Sequence, residues 1–248
     1  MQGRVRCVPP GGWYQSLTSL SLKEDAVLPS IQSYQLPVAA DLPNSRADWQ
    51  VDAPHAALLI HDMQNYFIDA FGADSPMIAT VIDNIRSLRR AAVDADIPVF
   101  YTAQPPNQDP AERGLLWDFW GPGLQEETEA EIVDALSPRA ADTVLTKWRY
   151  DAFSRSDLEE ILAADGRDQL IIAGVYAHIG CLATATSAFM RDIKPFLVAD
   201  AMADFTPGDH RAALTFAAAR CGQVTDTDHV VADLASSSRV TQTVGSDA

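Results

Sequence analysis

The sequence predicts an α/β fold: an open, mainly parallel sheet flanked by helices on both faces. Two observations carry that expectation. Apolar runs with β-branched content recur at 56–60, 98–101, 143–145, 170–175 and 196–198. Helical patterns at about 78–95, 126–136, 157–164, 182–192 and 209–221 alternate with them. Strand and helix alternating at this spacing imply βαβ crossovers, and so parallel strands covered on both sides. A third observation concerns function. Three runs end in polar or glycine-rich turns: LLIHDMQNYF around Asp62, LTKWRY around Lys147, and GVYAHIGC over 174–181. In an open α/β sheet, ligands bind at the edge where strand ends and helix starts converge.

Taken in order, residues 1–32 read as an N-terminal extension, with Pro9-Pro10-Gly11-Gly12 and a serine-rich stretch but no sustained period. Pro37 and Pro43 then suggest an extended arm over 33–43 lying on the domain. The alternation begins after Pro54, and 33–235 reads as one domain. Residues 223–225, with Val230 and Val231 just beyond, are expected to add a short last strand. The Ser/Thr-rich segment 236–248 is expected to be a mobile tail. No internal repeat is present.

Bulk composition narrows the function classes. The 248 residues are 47% hydrophobic, enough for a sizeable core. The net charge of −16 argues against nucleic acid as a partner, because a phosphate backbone needs a basic surface. An anionic substrate must then find a local basic pocket. No apolar run reaches the roughly 18 residues that span a bilayer, and the first thirty residues lack a secretory pattern. Cys7, Cys181 and Cys221 form neither a disulfide framework nor a zinc pattern, which points to a reduced, cytoplasmic setting. No His/Asp/Glu grouping has clear metal-ligand spacing, so no metal is expected.

Asp62 follows an apolar strand and is expected at the ligand edge, walled by apolar groups. Desolvation there would raise its pKa, as a general acid working near neutral pH requires; an aspartate after a strand can equally cap the next helix. Lys147 ends the 143–145 strand. It can orient Asp62, bind a substrate carboxylate or extend into solvent, and as a nearby cation it opposes a raised Asp62 pKa. His61 is expected in the core or behind Asp62, since strand neighbours point to opposite faces. His178 is expected to hydrogen-bond backbone in its turn, Asp204 to orient the closing segment, and Asp209 with His210 to start a helix.

HDMQNYF, YTAQP, RGLLWDFWGPG, KWRY, GVYAHIGCLATATSAFMRDIKPF and VADAMADF together resemble isochorismatases, vinyl-ether hydrolases within the isochorismatase-like (cysteine hydrolase) superfamily. The resemblance spans about 33–233 and implies a Rossmann-like three-layer fold. It implies catalytic roles for Asp62 and Lys147, and contacts from Gln104 and Arg113 to a dianionic small-molecule substrate. Trp120 and Tyr176 would wall the pocket. Gly180 would stand where thiol-dependent relatives such as nicotinamidases carry a cysteine. A one-residue offset on a helix turns a side chain by about 100°, so Cys181 is expected to be a packed, inert thiol. A non-proline cis peptide within 175–177 is also implied.

The implied reaction converts isochorismate to pyruvate and 2,3-dihydro-2,3-dihydroxybenzoate by protonating an enolpyruvyl ether, with no cofactor and no covalent intermediate. RGLLWDFWGPG is more like the phenazine-type enzyme acting on 2-amino-2-deoxyisochorismate, whereas GVYAHIGC is more like the siderophore type. A cysteine-dependent amidohydrolase and a non-catalytic member of the fold are the less favoured readings. A homodimer is expected, and no fused aryl carrier domain.

Overall fold

The run AALLIH is buried at every position and forms the central strand β1 (Ala56–His61). The computed structural model describes residues 28–244. Leu58 and Ile60 enter one apolar cluster while Ala57 and Leu59 enter another, as the two-residue period of a strand dictates. Beside β1 lie β2 (Val99–Ala103) and β4 (Gln169–Val175). Outside them come β3 (Thr143–Thr146) on one side, and β5 (Lys194–Ala203) followed by β6 (Gln223–Thr225) on the other. All pairings are parallel, in the order β3-β2-β1-β4-β5-β6. The winding direction reverses between β1 and β4, and at such a reversal a crevice opens beyond the carboxyl ends.

Helices α1 (Asn65–Ile68), α2 (Pro76–Asp94), α3 (Pro110–Arg113), α4 (Leu115–Trp120) and α5 (Glu127–Ala130) precede β3. Helices α6 (Leu158–Ala164), α7 (Leu182–Phe189), α8 (Pro207–Arg220) and α9 (Thr227–Val244) follow it. The start of α2 is set by Ser75, whose hydroxyl accepts from the Ile78 N–H, and by Pro76 in the first turn. Its Ile78, Val81, Ile85 and Leu88 form one buried stripe. Each such side chain contributes about 1.5–3 kcal/mol on burial. With α9, α2 covers one face of the sheet, while α6, α7 and α8 cover the other, giving three layers.

Several expectations need correction. The helix expected over 126–136 is only the single turn α5, followed by a 3-10 turn at Asp134–Leu136. Between them the backbone is recruited by the segment after β1: Val133 N–H donates to Met63 O and Asn65 N–H to Glu131 O, both at 2.9 Å. The helix expected over 182–192 stops at Phe189. Val230 and Val231, grouped with the last strand, belong to α9, where Val230 and Leu234 lie one turn apart and bury at 0% and 1% exposure. The Ser/Thr-rich segment after Ala235 continues that helix to Val244.

Residues 1–27 of the expected extension lie outside the described part. At its end Ile31 is buried, and its N–H donates to Ala70 O at 2.8 Å, so this portion lies against the domain. Among the described residues no helix is long and apolar enough to cross a membrane.

Candidate active site

Asp62 is the first residue beyond β1 and turns the chain with φ +49°, a left-handed conformation that aspartate tolerates better than most residues. Lys147 occupies the equivalent place beyond β3, where its N–H extends the ladder to Ala103 O at 2.8 Å. Its side chain reaches past the end of β2, placing Nζ 2.5 Å from Asp62 Oδ2. Both residues are almost enclosed, at 3% exposure for Lys147 and 4% for Asp62. Thr102 in β2 donates to Asp62 Oδ1 at 2.6 Å.

Burial alone would push the Asp62 carboxyl up. The Lys147 ammonium and the hydrogen bonds from Lys147 and Thr102 outweigh it and hold the carboxyl below the ordinary carboxylate range. The expected rise by desolvation is therefore overturned, because the cation stands in contact rather than merely nearby.

The Val175–Tyr176 peptide is cis, as the resemblance implied. Beyond it, Ala177–Cys181 forms one π-helical turn, in which Cys181 N–H donates to Tyr176 O at 3.2 Å. The Tyr176 hydroxyl donates to Phe67 O at 3.0 Å, and its ring packs at a 55° tilt against Phe205 with centroids 4.5 Å apart. Cys181 is wholly buried in the apolar cluster on the α7 side, and burial pushes its thiol pKa far up. His178 departs from expectation: its ring bonds a carboxylate rather than backbone, with Nδ1 2.5 Å from Asp204 Oδ1. Asp204 also accepts from the N–H groups of His178 and Phe205, and so ties the π-helical turn to the end of β5.

Arg113 ends α3 and is 3% exposed, yet no carboxylate pairs with it among the described residues. Its Nε donates to Gly121 O at 2.6 Å, and Nη1 lies 3.4 Å from Gln104 Oε1. Burial lowers its pKa. The loop from Arg113 to Leu124 passes flat over the guanidinium, since a Cβ on Gly123 would stand 2.5 Å from Arg113 Cζ. Gly114, Gly121 and Gly123 all have positive φ in this loop, the geometry only glycine adopts at no steric cost.

These elements surround a cleft into which all seven anticipated residues converge: Asp62, Gln104, Arg113, Trp120, Lys147, Tyr176 and Gly180. Its floor is the carboxylate–ammonium pair, its side the unpaired guanidinium, and its walls are aromatic. Sequence reasoning missed Thr102, Tyr66, Phe205 and Gln64. The Gln64 amide donates to Gln104 O and Ala130 O and accepts from Gln104 N–H, all at 2.8 Å, so it fixes the Gln104 backbone. Its place two residues after Asp62 in HDMQ was the available signal. Among the described residues no group of three or more His, Cys, Asp or Glu side chains could hold a metal ion.

Fold and cleft together define a three-layer α/β hydrolase of the isochorismatase-like kind. A family model described as the isochorismatase domain matches residues 56–229. The chain is 53% identical to enterobactin synthase component B of Escherichia coli (strain K12) over 205 residues, covering 82% of this chain and 72% of that one. It is 52% identical to the isochorismatase of Bacillus subtilis (strain 168), covering 84% and 67%. It is 49% identical to the phenazine biosynthesis protein PhzD of Pseudomonas fluorescens, covering 82% and 98%. A solved cysteine hydrolase from Pseudomonas syringae pv. phaseolicola 1448A superposes with a TM-score of 0.71 at 26% identity, covering 79% of this chain and 98% of that one. The chain belongs to the isochorismatase family.

Proposed function

We propose that this enzyme hydrolyses the enolpyruvyl vinyl ether of isochorismate, releasing pyruvate and 2,3-dihydro-2,3-dihydroxybenzoate. The observation that carries the reading is the buried Asp62–Lys147 pair beside position 180, which bears no side chain. Such a site offers an acid but no nucleophile. Arg113, buried without a carboxylate partner, and Gln104 beside it supply the basic pocket that a dianion needs on a protein of net charge −16. Trp120 and Tyr176 wall the ring, and the Gly180 backbone lines the cleft beside them.

The free site holds Asp62 ionised. Two incoming carboxylates disfavour that charge, so substrate binds with uptake of one proton. Asp62 then protonates the terminal methylene carbon, and the double-bond electrons form the new C–H bond, leaving an oxocarbenium ion. Water adds to that ion and gives up a proton to the Asp62 carboxylate. The hemiketal collapses as its hydroxyl oxygen forms the pyruvate carbonyl and the ether C–O bond breaks; the proton on Asp62 passes to the departing dihydrodiol oxygen, and the hydroxyl proton returns to Asp62. Lys147 holds Asp62 in place, and its ammonium faces the same cleft as the substrate carboxylates.

The same reaction on 2-amino-2-deoxyisochorismate is the second reading, favoured by the 49% identity to a phenazine biosynthesis protein. Purified protein mixed separately with each compound, with pyruvate followed through a coupled dehydrogenase, decides between them. No turnover of either sinks the proposal. Residues 33–235 act as the single hydrolase domain. Leu115 and Phe119, exposed one turn apart on α4, support the expected homodimer, and the spacing of the three cysteines, which matches no disulfide framework, supports a cytoplasmic setting. Light scattering in solution tests the former.

A further inference from the structure

His61 is the last residue of β1, and its ring is wholly buried. Nδ1 lies 3.0 Å from Val175 O, so it carries the proton and donates. Nε2 lies 3.3 Å from Thr184 Oγ1, which itself accepts from Ala152 N–H at 3.0 Å and so has its own proton free for Nε2. Proton directions therefore run one way, from Ala152 through Thr184 to His61 and on to Val175. Burial, with the Lys147 ammonium nearby, pushes the His61 pKa down to about 4, which keeps the ring neutral. One residue thus joins the end of β1 beside Asp62, the carbonyl preceding Tyr176, helix α7 and the segment after Lys147.

The same ring lies edge-on against Gly180. A Cβ built on Gly180 would overlap Cε1 of His61 and stand 2.9 Å from Nδ1 and 3.0 Å from Nε2. The ring has nowhere to swing, because both nitrogens are bonded and no face is exposed. Resting on the hydrolase reading above, we propose that His61 is a positioning residue of this reaction and forms an exclusive pair with Gly180. The imidazole occupies the volume that any side chain at 180 would need, so the backbone stays bare beside Asp62, and the hydrogen-bonded ring sets the spacing between Asp62 and the Tyr176 turn. Acid catalysis is thereby tied to residue 61 as well as to Asp62. A thiol at 180 would require a smaller residue at 61.

Two comparisons test this. Gly180→Ala should lower Tm by several degrees or yield no folded protein. The double variant His61→Asn, Gly180→Ala should recover most of that loss, because asparagine keeps a donor for Val175 O while vacating the Cε1 edge, and residues in contact do not act additively. A double variant no more stable than Gly180→Ala, or a Gly180→Ala protein as stable as wild type, overturns the pairing. On wild-type Gly180, His61→Ala should lower kcat at least about tenfold with KM changed less than about threefold, and His61→Asn should restore most of kcat. An unchanged kcat in His61→Ala overturns the positioning role. Should the wild type turn over neither substrate, the reaction reading falls and the Tm comparison alone judges the pair.

Discussion

Thr102 holds Asp62 at two points: its hydroxyl accepts from the Asp62 N–H at 3.1 Å and donates to Oδ1 at 2.6 Å. With Oδ2 on Lys147, both carboxylate oxygens are engaged and the plane of the group is fixed. Thr102→Val keeps the shape but removes both bonds, leaving a buried N–H unsatisfied at a cost of about 1–3 kcal/mol. Turnover should fall about tenfold or more by that scale, with substrate affinity little changed. A variant with wild-type kcat would show that Lys147 alone orients the acid.

Asp62→Asn removes the transferable proton at nearly constant volume. Turnover should drop by at least about 100-fold, the loss expected for a general acid, while substrate still binds. Pyruvate release measured at saturating substrate checks this. Retention of more than about a tenth of the wild-type rate would remove Asp62 from the role.

The depressed pKa of Asp62 dictates a pH profile. Reaction needs the protonated form, and above a low pKa its fraction falls about tenfold per pH unit. Log kcat/KM, which reports the free enzyme, should therefore decline with slope near −1 from pH 5 to pH 8. The kcat profile should break at higher pH, because bound carboxylates favour protonated Asp62. Lys147→Met removes the cation in contact and should move the kcat/KM decline upward in pH. A flat kcat/KM across that range would mean Asp62 does not enter the reaction protonated.

Two buried histidines set the acid limit of stability. The pKa values of His61 and His210 are both lowered to about 4, first by burial. The unfolded chain takes up these protons near pH 6.5 and the folded one only near pH 4, so stability falls as pH drops through that window. Each contributes a slope of about 1.4 kcal/mol per pH unit. His178 and His229, raised by their aspartates, add stability that is fully present below about pH 6.5 and is lost only as pH rises above it, so they do not offset the fall. Urea unfolding at pH 6.5 and pH 5 measures the difference; equal stabilities would contradict the buried neutral rings.

Cys181 should be dispensable for chemistry. Its thiol is enclosed and its pKa pushed far up, so Cys181→Ala should keep near-wild-type turnover, and iodoacetamide should leave the native enzyme active. Inactivation in step with labelling at that residue would revive a thiol mechanism.

The legible parts of this protein were those where burial and chain direction change together. Asp62, Lys147 and Gly180 each follow an apolar run, so their place at one sheet edge could be read before their contacts. Thr102 could not, because a threonine inside VFYTA looks like any strand residue until its neighbour β1 is known. Helix α4 escaped because LLWDFW has a single polar residue, Asp118, and so no readable amphipathic period, and it is bracketed by glycines. The start of α9 was misassigned because Val230 and Val231 carry strand propensity, whereas burial of Val230 and Leu234 one turn apart decides for helix. The direction of the Asp62 shift turned on a contact distance, which no sequence spacing supplies.

The wall contributed by the Arg113–Leu124 loop has an evolutionary corollary. The Asp62–Lys147 pair stands at strand ends, where any change disturbs the sheet, whereas Leu116 and Trp120 of α4 and Leu124 beyond it reach the cleft from a glycine-jointed segment outside the sheet. Substitutions there would reshape the cleft while leaving the Asp62–Lys147 pair in place. The rim of the cleft can therefore vary independently of the strand-end pair at its floor.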